Sequence, residues 1–225
     1  MKRLYRQQHL VDFMAVVMQF TRIKIKWSFF SDEAPDLKRA CWAFPLAGWL
    51  LGFIAGGLGQ ILILMDLPVI LGCAIAIAFC IYLSGAYHED GLADMADGFG
   101  AGGDGRRISN IIHDSRLGTY GVSALSLAII VRVLLVSSLV ETGLWLFVIM
   151  GSGLAVGKGF VMINRRLFVV SEFAGTATVS FLGSNIRQIV CLLLWFLPCL
   201  FIFSLEQLAL GIFLCVLVSL WCGFR

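Results

Sequence analysis

The sequence predicts an all-α protein, a polytopic membrane bundle of about six transmembrane helices forming one domain over residues 1–225. Three observations carry this. Of 225 residues, 60% are hydrophobic and only 14% charged, where a soluble domain carries about a quarter charged residues. Mean hydropathy is +0.93, and several runs approach or exceed the roughly 18 apolar residues that can cross a bilayer as a helix. The basic residues alternate with those runs and do not scatter through them. The net charge of +3 is small and gives no sign of a nucleic-acid partner.

Residues 1–40 read as a basic cytoplasmic or interfacial segment. Lys2, Arg3 and Arg6 precede Leu10 to Phe20, an apolar run of eleven residues. That is too short to span. Thr21-Arg22-Ile23-Lys24-Ile25-Lys26 follows where a signal peptide would have a small-residue cleavage site. We read an interfacial helix and then an extended basic segment. Ser31-Asp32-Glu33-Ala34-Pro35 predicts a turn or helix start, with Asp32 and Glu33 near the positive end of the helix dipole.

The six expected spans run from about Trp42 to Leu64, Leu67 to Tyr87, Gly121 to Val140, Gly143 to Ile163, Ile189 to Phe203 and Leu208 to Cys222. Asp66, Glu141 and Glu206 mark tight turns between successive pairs. In the first span, Gly48, Gly52 and Gly56 recur every fourth residue, a spacing that lets helix backbones approach closely. The seven cysteines lie in or beside apolar runs and form no Cys-x-x-Cys pair, so they are expected to be packing residues.

Orientation follows from counting. Eight Lys/Arg precede the first span, three lie between His88 and Tyr120, three between Asn164 and Gln188, and Arg225 ends the chain. The three tight turns hold none. The positive-inside rule then places both termini and both long loops in the cytoplasm. The remaining two basic residues, Arg132 and Lys158, fall inside spans, where a charge needs an interior partner. A bound anion or a carboxylate from the loop at 88–120 would serve.

That loop carries the chemistry. His88-Glu89-Asp90-Gly91-Leu92-Ala93-Asp94-Met95-Ala96-Asp97-Gly98 holds four carboxylates in eleven residues between apolar runs. At about 100° per residue, Asp90, Asp94 and Asp97 fall within a roughly 60° arc of one helix face. Like charges so placed repel. A cation would reverse that cost, and Mg²⁺ prefers carboxylate oxygens shared with substrate phosphates. Glu89 points about 100° away from Asp90 and is the weaker ligand. Gly98-Phe99-Gly100-Ala101-Gly102-Gly103-Asp104-Gly105 continues as a glycine-rich turn that could cradle an anion, followed by Arg106 and Arg107. His113-Asp114-Ser115-Arg116 forms a second polar stretch before the next span. Arg106, Arg107 and Arg116 suit bidentate phosphate binding, with Asp114 and Ser115 beside them. Ser115 and Thr119 fit either metal or phosphate coordination or simple helix capping. His88 and His113 fit either acid/base work or loop polarity. Together these are the parts of a phosphoryl-transfer site.

These motifs carry a resemblance. The stretch from His88 to Gly98 resembles the His-x-Asp-Gly-Leu-Ala-Asp-x-Ala-Asp-Gly hallmark of the cobalamin synthase family, adenosylcobinamide-GDP ribazoletransferase. Ile112-His113-Asp114-Ser115-Arg116-Leu117-Gly118-Thr119-Tyr120-Gly121 resembles the family's second stretch, and Phe20-Thr21-Arg22-Ile23 and Phe44-Pro45-Leu46-Ala47-Gly48 resemble its N-terminal landmarks. The resemblance implies a multi-pass enzyme of the bacterial inner membrane, dependent on Mg²⁺. Its substrates would be adenosylcobinamide-GDP and α-ribazole or its 5′-phosphate, with GMP released in the last steps of vitamin B12 assembly. Association with other corrinoid-assembly enzymes fits that setting. On this reading Asp90, Asp94 and Asp97 hold the metal, and an aspartate or His88 takes the proton of the attacking ribazole 5′-hydroxyl. The arginines neutralise developing charge. The family's further C-terminal motif, Gly-Gly-x-Thr-Gly-Asp followed by Gly-Ala and a Glu, has no counterpart here, so little synthase activity is expected of this 225-residue form alone.

Two other classes fit parts of the pattern. A phosphotransferase of the CDP-alcohol type also uses spaced aspartates at a membrane face, but with a longer Asp-Gly and Ala-Arg spacing than this chain has. A divalent-cation transporter would place acids within spans, and here the spans hold two bases.

Overall fold

The computed structural model describes residues 7–167, 184–204 and 213, and among these residues it is helical with no strand. Helix α1 (Gln8–Phe20) is followed by an irregular segment, a short 3₁₀ turn (Trp27–Phe29) and the four-residue helix α2 (Leu37–Ala40). A second 3₁₀ turn (Cys41–Ala43) leads directly into α3 (Phe44–Leu64). Next come α4 (Val69–Ser84), α5 (Tyr87–Ala101), α6 (Gly105–Ile112), α7 (Thr119–Glu141), α8 (Leu146–Leu167) and α9 (Asn185–Ile202).

The expected interfacial helix is α1, and it is anchored more firmly than amphipathicity alone requires. Asp12 is buried and accepts from Arg39 Nε at 2.7 Å and Trp42 Nε1 at 3.2 Å. Val16 and Phe20 pack with Ala40, Cys41 and Phe44 beneath this polar clamp. The basic segment then ties back to the bundle, Arg22 N donating to Leu83 O at 2.7 Å. Of the two readings of Ser31 to Pro35, the structure shows a turn, Glu33 N donating to Ser31 Oγ at 3.0 Å, and the helix starts later. Asp36, not Asp32 or Glu33, caps α2 by accepting from Arg39 N at 3.0 Å, because only a side chain at the cap position reaches the amide three residues on.

The first span appears as α2, the 3₁₀ turn and α3 together, 28 residues from Leu37 to Leu64. Pro45 sits in the first turn of α3, where its missing N–H has no partner to lose. The glycine stripe performs as its spacing predicts. A Cβ on Gly48 would meet the backbone of Leu154 and Ala155 at 2.5 Å, one on Gly56 would meet Phe147 Cα at 2.6 Å, and one on Gly52 would strike Gly151. The backbones of α3 and α8 therefore touch along this line. Gln60 Oε1 on α3 also accepts from Leu146 N at 2.7 Å, closing the first turn of α8. Leu51, Ala55, Cys73, Ala76, Ile77, Leu146 and Met150 fill the core between α3, α4 and α8.

α7 is the second helix long and apolar enough to cross a membrane, and only 6% of its most apolar window is covered by the described residues. Val133, Val136 and Val140 pack on the core, while Leu127, Ile130, Leu134 and Leu135 are exposed among the described residues, as lipid contact requires. α4 and α5 would together make a third span, but they meet at 89°. Two successive left-handed residues, Gly85 (φ 73°) and Ala86 (φ 58°), make that bend. A helix that turns so sharply and carries four carboxylates does not continue the apolar path of α4. We therefore treat α5 as lying outside the span. Among the described residues, two helices are therefore long and apolar enough to cross a membrane, or three if α4 and α5 count as one broken span, against the six spans expected. The apolar parts of α8 and α9 occupy the fourth and fifth expected spans but are shorter, and the sixth, Leu208 to Cys222, lies outside the described residues. Cys41, Cys73, Cys80, Cys191 and Cys199 are buried and in no disulfide, the packing role expected of them.

Candidate active site

The segment at 88–120, expected as a loop, is two helices and a capped junction. α5 carries the acidic motif and presents two different faces. The inner face is the stripe Glu89, Ala93 and Asp97, all buried and spaced four residues apart against α7. The outer face carries Asp90, exposed, and Asp94, half-buried.

The inner carboxylates are already partnered. Asp97 Oδ2 accepts from Gly118 N at 2.7 Å and Oδ1 from Gly121 N at 2.8 Å. These are the first amides of α7, which no intrahelical carbonyl can satisfy. The carboxylate also sits at the positive end of the α7 dipole. A Cβ on Gly118 or on Gly121 would strike the Asp97 carboxylate. The two glycines of the second motif therefore make room for the last aspartate of the first. Glu89 Oε1 accepts from Arg132 Nη1 at 2.9 Å. The arginine inside the α7 span thus has a partner of the expected kind, a carboxylate from the acidic segment.

Among the described residues, no donor from α7 binds the outer carboxylates. Desolvation, and then the charges of Asp90 and Asp97, push the Asp94 carboxyl above its ordinary pKa, while His113 pulls it back. Excess negative charge on this face is what a cation would relieve. Among the described residues, no three His, Cys, Asp or Glu side chains converge as a ready metal cage. The donor set nevertheless fits Mg²⁺, which is often held by one or two carboxylates completed by substrate phosphates and water. Asp90 and Asp94, one helical turn apart on the outer face, supply that pair. Asp97 fits less well, since both of its oxygens already accept amides.

The glycine-rich turn is smaller than its sequence predicts. Gly98 and Gly100 belong to α5, where they admit Ile112 at 2.8 Å and the ring of Tyr120 at 2.5 Å from a notional Cβ. Only Gly102 (φ 65°) and Gly103 (φ 118°) need glycine for their backbone. Asp104 then caps α6 by accepting from Arg107 N at 2.8 Å. Arg106 and Arg107 stand exposed on the first turn of α6, and Ser115 is exposed beyond it. Arg116 is exposed too, but bound to Asp114, with Nη2–Oδ2 3.0 Å and Nε–Oδ1 3.2 Å. That guanidinium holds the Asp114 carboxyl below the usual carboxylate range. His113 Nδ1 lies 2.7 Å from Ser109 O, within its own helix turn. His88 stands apart from the outer carboxylates' partners: its Nε2 is 3.3 Å from Lys158 Nζ.

Sequence reasoning missed three of these contacts: the cap on α7 by Asp97, the clamp at Asp12 and the approach of Lys158 to His88. For Asp12 the signal was present, a lone acid inside an apolar helix with basic and aromatic residues downstream.

The architecture defines a class: a helical membrane protein with an acidic helix bent out of a span, two carboxylates on its open face and arginines on the following helix. The chain belongs to the cobalamin-5-phosphate synthase family, whose model matches residues 12–225. It is similar to the adenosylcobinamide-GDP ribazoletransferase of Azorhizobium caulinodans, 39% identical over 132 residues, which cover 58% of this chain and 50% of that one. The enzyme of the same name from Ralstonia pickettii is 36% identical over 154 residues, covering 68% and 59%. That of Ralstonia nicotianae is 43% identical over 116 residues, covering 50% and 43%. The matched stretch thus spans about half the length of these curated relatives. No solved structure matches the chain.

Proposed function

We propose that this chain carries out the ribazoletransferase reaction on the cytoplasmic face of the bacterial inner membrane. Adenosylcobinamide-GDP would be the donor, α-ribazole or its 5′-phosphate the acceptor and GMP the leaving group. The observation that carries the reading is the split of α5, which leaves Asp90 and Asp94 as a carboxylate pair on its outer face, one helix before the exposed Arg106 and Arg107. Mg²⁺ held by that pair would neutralise charge on the donor's pyrophosphate. Arg106 and Arg107 would bind the same oxygens, and Arg116 could exchange Asp114 for a phosphate. Asp97 and Glu89 fix α5 against α7 and so set where the open face points.

Two expectations change. With a charged Lys158 donating to His88 Nε2, the imidazole proton sits on Nδ1, so His88 is a hydrogen-bond donor and not the base. We assign removal of the acceptor's proton to the open carboxylate pair. The 5′-hydroxyl cannot be the nucleophile for both acceptors, because the 5′ oxygen of α-ribazole 5′-phosphate is already esterified. One mechanism for both requires a secondary ribose hydroxyl.

The transporter alternative is disfavoured by the same arrangement: the acids of α5 lie on a helix bent 89° from the apolar path of α4, and the one that reaches a span charge, Glu89, is engaged by Arg132. To test the proposal, membranes carrying the chain, and membranes carrying it extended with the family's C-terminal segment, are supplied with both substrates and Mg²⁺. GMP release that requires both substrates supports the reading. No release from either membrane would overturn it.

A further inference from the structure

Lys158, on α8 and 2% exposed, is the largest charged side chain fully buried among the described residues. An ammonium within a span is costly and usually faces a partner or a polar cavity. Its contacts here are His88 Nε2 at 3.3 Å and the ring of Phe20 at 5.0 Å. Neither carries a negative charge. The acid next to His88 on α5, Glu89, is bound to Arg132. Among the described residues, no carboxylate lies within ion-pair distance of Lys158.

A cavity of about 230 Å³ opens beside this ammonium, lined by His88, Gly153, Leu154, Gly157, Lys158 and Val161. Gly153 and Gly157 lie one helical turn apart, and a Cβ on either would meet nothing within 4 Å. The two glycines open the wall of α8. The cavity therefore joins one buried cation to an apolar lining. It is too small for a corrinoid nucleotide. It suits an anionic group on a compact, largely apolar body.

We propose that this cavity binds the phosphate of the phosphorylated acceptor, α-ribazole 5′-phosphate. Lys158 supplies the counter-charge, and His88 is held in the tautomer that turns its other nitrogen outward. The assignment rests on the function proposed above. It places the acceptor's phosphate away from the carboxylate pair, which is left to the donor's pyrophosphate. It also gives an anionic partner, the substrate's phosphate, to a buried lysine that forms no ion pair among the described residues.

The test is direct binding to the full chain in lipid nanodiscs, which needs no turnover. Titrations use α-ribazole 5′-phosphate, α-ribazole and adenosylcobinamide-GDP. The wild-type chain is expected to bind the phosphorylated acceptor at least about tenfold tighter than α-ribazole, the gain from a desolvated charge-assisted contact. Lys158→Met should erase that difference and leave α-ribazole affinity within about twofold, while Lys158→Arg should retain it. Gly157→Leu, which fills the cavity and keeps the lysine, should weaken the phosphorylated acceptor and leave the donor unchanged. Equal affinity for the two acceptors in the wild type overturns the proposal whatever the variants do. So does a preference that disappears in discs made with phosphatidylglycerol, which would show that a lipid headgroup fills the cavity. Failure to bind either acceptor or the donor would remove the proposed function itself, and this inference with it.

Discussion

The two faces of α5 are built from the same residue type and do different work. Glu89 and Asp97 point at α7, are buried, and each meets a donor within 2.9 Å. Asp90 and Asp94 sit on the opposite side, one turn apart, the first exposed and the second half-buried. Periodicity alone groups Asp97 with Asp90 and Asp94, since all three lie within roughly 60° on a helical wheel. The approach of α7 divides them. A carboxylate whose oxygens already accept two amides is a positioning group, and the pair left without such donors is the one we propose as the ligand.

The largest expected effect is on the open face. Asp94→Asn should reduce GMP release at least about a hundredfold, since an amide replaces an anionic ligand, and should leave the protein folded. The measurement is turnover in the active form against Mg²⁺ concentration, beside its elution from a sizing column in detergent. Wild-type turnover at limiting Mg²⁺ would take Asp94 out of the site.

Next is the closed face. Asp97→Asn should destabilise the chain by about 2–3 kcal/mol, because the amide can accept at one atom only and presents N–H groups to an N–H. Gly121→Ala should act similarly, since its Cβ would displace the same carboxylate. The distinguishing measurement is the apparent Mg²⁺ affinity of whatever activity remains. It should be near wild type for Asp97→Asn and Gly121→Ala, and much weaker for Asp90→Asn. A large Mg²⁺ defect in Asp97→Asn would return Asp97 to the metal and erase the distinction between the faces.

The sequence showed the faces only in part, for a physical reason. Spacing along a helix is local, so the acidic stripe, the glycine line of Gly48, Gly52 and Gly56, and the approximate helix ends were all readable. Which side of a helix is covered depends on contacts between residues far apart in the chain. Asp97 meets Gly118 and Gly121, Glu89 meets Arg132, and His88 meets Lys158 across intervals of 21 to 70 residues. The charge in the third span did announce that it needed a partner; its spacing could not say which acid. The glycine-rich stretch misled because Gly98 and Gly100 serve close packing inside a helix, which composition cannot distinguish from a turn.

A smaller effect should come from the Glu89–Arg132 pair. The arginine is partly exposed, so the contact is worth less than a dry ion pair. A double-mutant cycle of Glu89→Gln and Arg132→Gln on unfolding should give a coupling of about 1 kcal/mol. Additive effects would mean that the two side chains do not hold α5 to α7.

The smallest effect belongs to Asp114 and Arg116, and it separates binding from stability. Both are exposed, so their attraction is screened by water and contributes little to the folded state. The sign of any pH effect is nevertheless fixed. Arg116 lowers the Asp114 pKa in the folded chain, so the stabilisation is present above the unfolded carboxylate value and is lost only as pH falls through the lowered one. Between pH 7 and pH 5 the pair should therefore add no slope to the unfolding midpoint, and Asp114→Asn should leave that midpoint unchanged. Its effect should appear in substrate binding instead. In the free chain Asp114 occupies the guanidinium that a donor phosphate would need. Removing the carboxylate should free Arg116 for the phosphate and lower the KM for adenosylcobinamide-GDP, whereas Arg116→Ala should raise it. If both substitutions raise the KM equally, then the pair acts as a unit that shapes the turn before α7, and Arg116 does not exchange partners during the reaction.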